Sequence, residues 1–308
     1  FAGLLTLAVA TPGIGGRKGH SLFLVTPDDR RVTIGPEEHK LGIRGSSTVS
    51  VHLDDVCLPS DRLLDTPGGG MGHVHEILCW GRALMAAGCI GTARAALQAA
   101  LAHTRERKQF GRTLAQMPVV QEQLATMAAS IFAMEAVVRW AALSPESLAI
   151  RSLVAKVLCS ELSWNCADMC LQLHGGSGFI EDTGIPLLLR DARIPRIFEG
   201  ANDVLRVHLG LLEAGRPRPT TSIVGLRVHQ MRDRLIDRVG VHLVRDPIAL
   251  HRLGSAVVWR DALEAAGHRT QSAVATHALT LIAQMAEIPL RAPETRDTWR
   301  AAANEMLA

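Results

Sequence analysis

Tyrosine is absent from the 308 residues, and aromatic side chains together make up only 4% of them. No phenol is therefore available for acid–base chemistry. Lysine is nearly absent too: of 33 basic residues only Lys18, Lys40, Lys108 and Lys156 are lysines. With abundant alanine, this usage reads as the bias of a GC-rich genome and not as chemistry. A net charge of +3 supplies no bulk pull toward a polyanion, and no nucleic-acid partner is expected. The six cysteines lack the paired spacing of a disulfide-stapled secreted domain. They read as lying inside apolar helical runs, which predicts buried thiols in a reducing bacterial cytoplasm. No apolar run reads as long enough to span a bilayer. Residues 1–16 lack the charged start of a signal peptide and read as strand and turn. Phe1 stands where a Met would open a chain, which predicts a natural start further upstream. No internal repeat is evident.

What remains is ordinary for a globular protein, 47% hydrophobic and 20% charged, and long enough for two or three domains. Residues 1–66 read as β structure, with SLFLV (21–25) as an apolar run. TVSVHL (48–53) alternates, with Val49, Val51 and Leu53 on one face. TPGGGMG (66–72) breaks this pattern and marks a domain boundary. Residues 67–215 follow a helical period. The first helix carries Ile77, Leu78, Leu84 and Met85 as apolar positions. A second opens at Pro118, a favoured first helical residue, and carries Val120, Leu124, Met127, Ile131 and Met134. A third follows Ser144 as N-cap, runs through Val154, Val157, Leu158 and Leu162, and stops at Gly175-Gly176. A fourth spans from about Asn202 to Gly215. The expected fold is mainly α with a partial all-β domain at the N-terminus: an antiparallel four-helix bundle plus a helical extension over 216–308. GRPRPTTS (215–222) reads as a linker.

RIFEGANDVLR (196–206) poses the chemical question. Glu199 follows an aliphatic run and precedes a helix start. A helix-start acid, a surface charge and a general base in a dry pocket all fit that local pattern. Cys166, Cys170 and His174 fall at i, i+4 and i+8, but no fourth ligand accompanies them, so no metal is expected.

Five stretches in order resemble the acyl-CoA dehydrogenase family: HKLGIRGSSTVSVHLDDVCLP (39–59), WGRALMAAGCIG (80–91), RERKQFGRTL (105–114), QLHGGSGF (172–179) and LLRDARIPRIFEGAND (188–203). The resemblance covers roughly residues 1–215. It implies FAD, an acyl-CoA thioester substrate, electron-transfer flavoprotein as acceptor, and a homodimer or homotetramer. By the same resemblance Glu199 is the base that removes the α-proton, with Gly200 and Arg82 beside the substrate. Gly81 stands where some members carry the base instead. Arg107 and Gln109 contact the FAD of a neighbouring subunit, as does the loop of Gln172, Leu173, His174, Gly175 and Gly176. Ala201, Asn202 and Asp203 also touch the cofactor in the family, and Ala201 replaces a hydroxyl residue there. Leu187 stands where a basic residue is usual, and Pro118 replaces a glutamine. The family's upstream helical domain and flavin-clasping strands are not within these residues, so the chain alone is expected to bind FAD poorly. The tail resembles, in position only, the extension of very-long-chain members, which implies long acyl chains and peripheral membrane contact. The alternatives are a non-catalytic dimerisation protein and a related acyl-CoA oxidase.

Overall fold

Alternating side chains favour extended strands at the start of the chain. Strands β1 (Leu5–Pro12) and β2 (Lys18–Val25) pair from Leu5–Val25 to Pro12–Lys18. The computed structural model describes residues 3–12, 18–143, 145–215, 228, 230–235 and 244–267. The chain divides into two compact units, Phe1–Cys79 and Trp80–Ala308.

In the first unit, β5 (Leu63–Leu64) adds to the free edge of β2. A separate antiparallel pair joins β3 (Val32–Glu37) to β4 (Val49–Leu53), with a bulge between Ile34 and Glu37. The alternation in TVSVHL is real, but its apolar face is not a core face here: Val51 and Leu53 are both exposed. The Gly-rich stretch is where helix α1 (Gly70–Glu106) begins. Gly70 is required there, because a Cβ would meet the His20 carbonyl and the Leu22 side chain at 2.9 Å.

The second unit is helical. At 37 residues α1 spans roughly 55 Å. After it come a two-residue hairpin, β6 (Lys108–Gln109) and β7 (Arg112–Thr113), then α2 (Pro118–Ala142) with Pro118 in its first turn. Helix α3 (Leu148–His174) starts later than expected. A short 3-10 turn, Pro145–Ser147, precedes it and Ser147 is the N-cap; Ser144 lies outside the described residues. Gly175 ends α3 at φ 58°, a value that favours glycine. Helices α4 (Ile185–Asp191), α5 (Asn202–Ala214) and α6 (Pro247–Gly267) follow among the described residues. The structure is thus mostly helical with small β regions at the N-terminus. The linker and most of the expected helical extension lie outside the described residues.

The core is built from α1, α2, α3, α5 and α6. Met127, Met134, Leu124, Val154, Leu158 and Leu162 are all buried in it, as their spacing predicts. Helix α1 differs. Its buried stripe is Ala86, Cys89, Ile90, Ala93, Ala96 and Ala100, while Ile77 and Leu84 are 61% and 69% exposed. The small residues let neighbouring helices come close, and the large ones face away. By length and composition α1 and α2 each contain a window apolar enough to cross a bilayer, against the sequence expectation. In α2 61% of that window is buried, so its apolar surface is engaged in the core. Where α5 and α6 cross, backbones touch: a Cβ on Gly210 would overlap the Leu250 carbonyl, and one on Gly254 the Arg206 carbonyl. Five cysteines are buried, but Cys57, expected in an apolar helical run, is exposed in the loop after β4.

Candidate active site

The segment between α4 and α5 folds by short-range bonds. Ile197 and Phe198 both donate from backbone N–H to the Ile194 carbonyl, at 2.8 and 3.1 Å. That 3-10 turn cannot continue, because Glu199 takes φ 57° and Gly200 φ 97°. A glutamate in the left-handed region is strained by about 1 kcal/mol or more, and such strain clusters at functional sites. Helix α5 then opens at Asn202 with Ala201 as N-cap, which has no side chain to cap it.

The strained turn is gripped from α1. Arg82, only 9% exposed, donates its Nε–H to the Glu199 carbonyl at 2.9 Å. The Glu199 carboxylate lies against Gly81 of the same helix. A Cβ at Gly81 would stand 3.2 Å from Oε2 and 3.3 Å from Oε1. The niche therefore exists because residue 81 has no side chain. Oε2 is closed off from solvent and has no hydrogen-bond partner among the described residues. Burying a polar atom without a partner costs roughly 1–3 kcal/mol, and an ionised one more. Ile197 and Phe198 do not supply this dryness, since they are 51% and 38% exposed. The Glu199 N–H enters none of the backbone hydrogen bonds found among the described residues.

A second feature lies at the far end of α1. His103, Arg107, His174, Gly176, Ser177 and Thr183 line a cleft of about 570 Å³. The two imidazoles stack, with centroids 4.4 Å apart. Burial first, and then the neighbouring His174 and Arg107, hold His103 below the usual histidine pKa. Arg107 is exposed just beyond α1, which leaves its planar fork of donors free for an anion. Phe110 and Phe179 stand out from the surface at 90% and 80% exposure.

The structure sorts the expected site residues. Arg107, His174 and Gly176 meet in this cleft, and Arg82, Gly81, Glu199 and Gly200 meet at the niche. Gln109 is exposed in the β6–β7 hairpin, and Gln172 and Gly175 are exposed at the end of α3. Leu173 turns into the core at 7% exposure, so its side chain is taken by packing. Asn202 is 4% exposed and is held by Lys156, Ser160 and Glu161. Asp203 is exposed; His251 hydrogen-bonds it at 3.1 Å and holds its carboxyl below the usual range. Ala201 is partly buried. Cys170 and His174 approach each other, Sγ to Nδ1 3.7 Å, but Nδ1 also lies 2.7 Å from the Cys170 carbonyl. Sequence reasoning missed His103, Lys156 and Glu161. Lys156 carried a signal, being a lone cation inside the apolar run SLVAKVLC.

The set defines a helical domain with a held carboxylate at one site and an arginine–histidine cleft at another. Comparison with known proteins agrees. The family described as acyl-CoA dehydrogenase, C-terminal domain, matches residues 68–210. A probable acyl-CoA dehydrogenase of Mycobacterium tuberculosis, FadE25, is 35% identical over 206 residues, 66% of this chain and 53% of that one. The mitochondrial very long-chain specific acyl-CoA dehydrogenase of Mus musculus is 38% identical over 193 residues, 61% of this chain and 29% of that one. The fold matches an acyl-CoA dehydrogenase of Bacillus anthracis complexed with FAD, at a TM-score of 0.80 and 24% identity. That match covers 100% of this chain and 68% of that one. Residues 68–210 of the chain thus resemble the C-terminal domain of the acyl-CoA dehydrogenases. It spans about half the length of the mycobacterial relative.

Proposed function

We propose that this chain carries the base of an FAD-dependent acyl-CoA dehydrogenase and that Glu199 takes the α-proton of an acyl-CoA thioester. The observation that carries the reading is Oε2 of Glu199, buried on a strained turn with no hydrogen-bond partner among the described residues. A carboxylate oxygen with no hydrogen-bond partner has none to break before it accepts a proton from a carbon acid. As charge grows on the thioester oxygen, the unused N–H of Glu199 is a donor at hand to stabilise it.

FAD, when bound, supplies the hydride acceptor for the β-carbon. The residues present fit the nucleotide half of such a group. Arg107 offers a guanidinium to a pyrophosphate, and Gly175 and Gly176 let backbone approach closely. In the family reading this cleft serves the FAD of a second subunit. The exposed Phe110 and Phe179 favour that homodimer, since both are large apolar groups left open beside the loops that form the cleft. Helices α1, α2, α3 and α5 form the antiparallel four-helix bundle of residues 67–215, and electrons leave to an electron-transfer flavoprotein. The likeness to the mouse very-long-chain enzyme favours a long acyl chain. The test is to mix the full-length flavoprotein with saturated acyl-CoAs of graded length and follow flavin absorbance. Bleaching greatest with long chains is expected; no bleaching by any acyl-CoA overturns the reading.

A further inference from the structure

A second group of polar side chains lies under the same turn, and the proton transfer proposed above does not use it. Lys156 and Ser160, at i and i+4, share a face of α3, and Glu161 is the next residue along the helix. Glu161 faces both flanks of the turn. Its Oε2 lies 2.8 Å from Arg196 Nε, three residues before Glu199, as an ion pair whose angle is not that of a hydrogen bond. Its Oε1 accepts from Asn202 Nδ2 at 2.8 Å, three residues after Glu199, and from Arg206 at 3.0 Å. One carboxylate therefore holds both ends of the segment 196–202.

Lys156 decides how Asn202 is turned. The ammonium only donates, so the amide oxygen faces it, Nζ to Oδ1 2.6 Å. The amide nitrogen must then point the other way, where it donates to Ser160 Oγ at 2.9 Å and to Glu161. Ser160 Oγ is free to accept because it donates to the Val157 carbonyl at 3.1 Å. Lys156 is fully buried and Asn202 nearly so, and no side chain caps α5. The start of α5 is thus placed by α3 and not by local capping. With Arg82 on the Glu199 carbonyl, the turn is fixed at three points.

We infer that Glu161 is a positioning residue for Glu199 and that it acts with Lys156, through Asn202, to hold the strained turn that keeps the carboxylate in the Gly81 niche. This rests on the proton-transfer role proposed for Glu199.

The test takes the full-length flavoprotein as wild type, Glu161→Gln and Lys156→Met. It compares amide exchange with flavin reduction by a saturating acyl-CoA. The diagnostic amides are Ile197 and Phe198, bonded to the Ile194 carbonyl, and Leu205, bonded to the Ala201 carbonyl. In both variants these amides are expected to exchange roughly tenfold faster or more, with α2 amides unchanged. The reduction rate falls on the order of tenfold or more while KM holds within about twofold, as a misplaced base requires. Wild-type exchange at these amides overturns the inference, as does a uniform rise that includes α2. Should Glu161→Gln fail to fold, Lys156→Met decides by the same criteria. A loosened turn with wild-type reduction overturns the positioning role. If Glu199→Gln also reduces flavin at the wild-type rate, the function assigned to Glu199 falls with it.

Discussion

Replacing Lys156 by Met is expected to leave stability at pH 7 almost unchanged and to reshape its dependence on pH. Burial pushes the Lys156 ammonium down to about 8, against about 10.4 in an unfolded chain. At about 1.4 kcal/mol per pH unit, holding that charge inside costs roughly 3 kcal/mol at pH 7. Methionine removes the cost, but it leaves Asn202 Oδ1 without its donor, a loss of about 1–3 kcal/mol. The two nearly cancel. Between pH 8 and about 10.4 the unfolded wild type binds more protons than the folded protein, so wild-type stability rises with pH in that window. Met has no such gain. Above pH 10.4 only the loss at Asn202 remains, and the variant is expected to be less stable than wild type by about 1–3 kcal/mol. Buried thiols run the other way: burial pushes Cys89 up to about 11, which favours the unfolded state as pH rises. Most of that contribution drops out of the difference between the two proteins. Urea unfolding at pH 7, 8, 9, 10 and 10.5 measures that difference. A constant gap between the two proteins across this range would refute the reasoning.

Three further outcomes follow from the packing. Gly81→Ala puts a Cβ about 3.2 Å from Oε2, so flavin reduction slows, while the helix gains up to about 1 kcal/mol from the better helix former; unaltered reduction would show that the niche is unimportant. Gly210→Ala forces α5 from α6 and lowers stability by about 1–3 kcal/mol in urea unfolding. In a thiol titration of the native protein Cys57 reacts at once, and the five buried cysteines react only on unfolding.

Much of the helical unit was legible because its signals are local. The three-to-four spacing in Val154–Leu162, Pro118 at a helix start and the glycines after His174 each act within a few residues. The stripe on α1 was misread because Ala86, Ala93, Ala96 and Ala100 carry little hydrophobic weight, though they are the side that fits against other helices. Arg82 was legible as a site residue, but its grip on the Glu199 carbonyl was not, since 117 residues separate the two. Lys156 and Glu161, and the hold they have on Asn202, escaped for the same reason: their meaning lies in which nitrogen and oxygen face each other across two helices. The orphaned Oε2 is likewise a property of packing and has no counterpart in spacing.

The central claim concerns Glu199 and is tested most directly by stopped-flow flavin reduction in full-length wild type and Glu199→Gln. Glutamine keeps the shape of the side chain and removes the base. Loss of reduction by on the order of 10²–10⁴-fold, with acyl-CoA still bound, is the predicted result. Reduction at the wild-type rate would contradict the account.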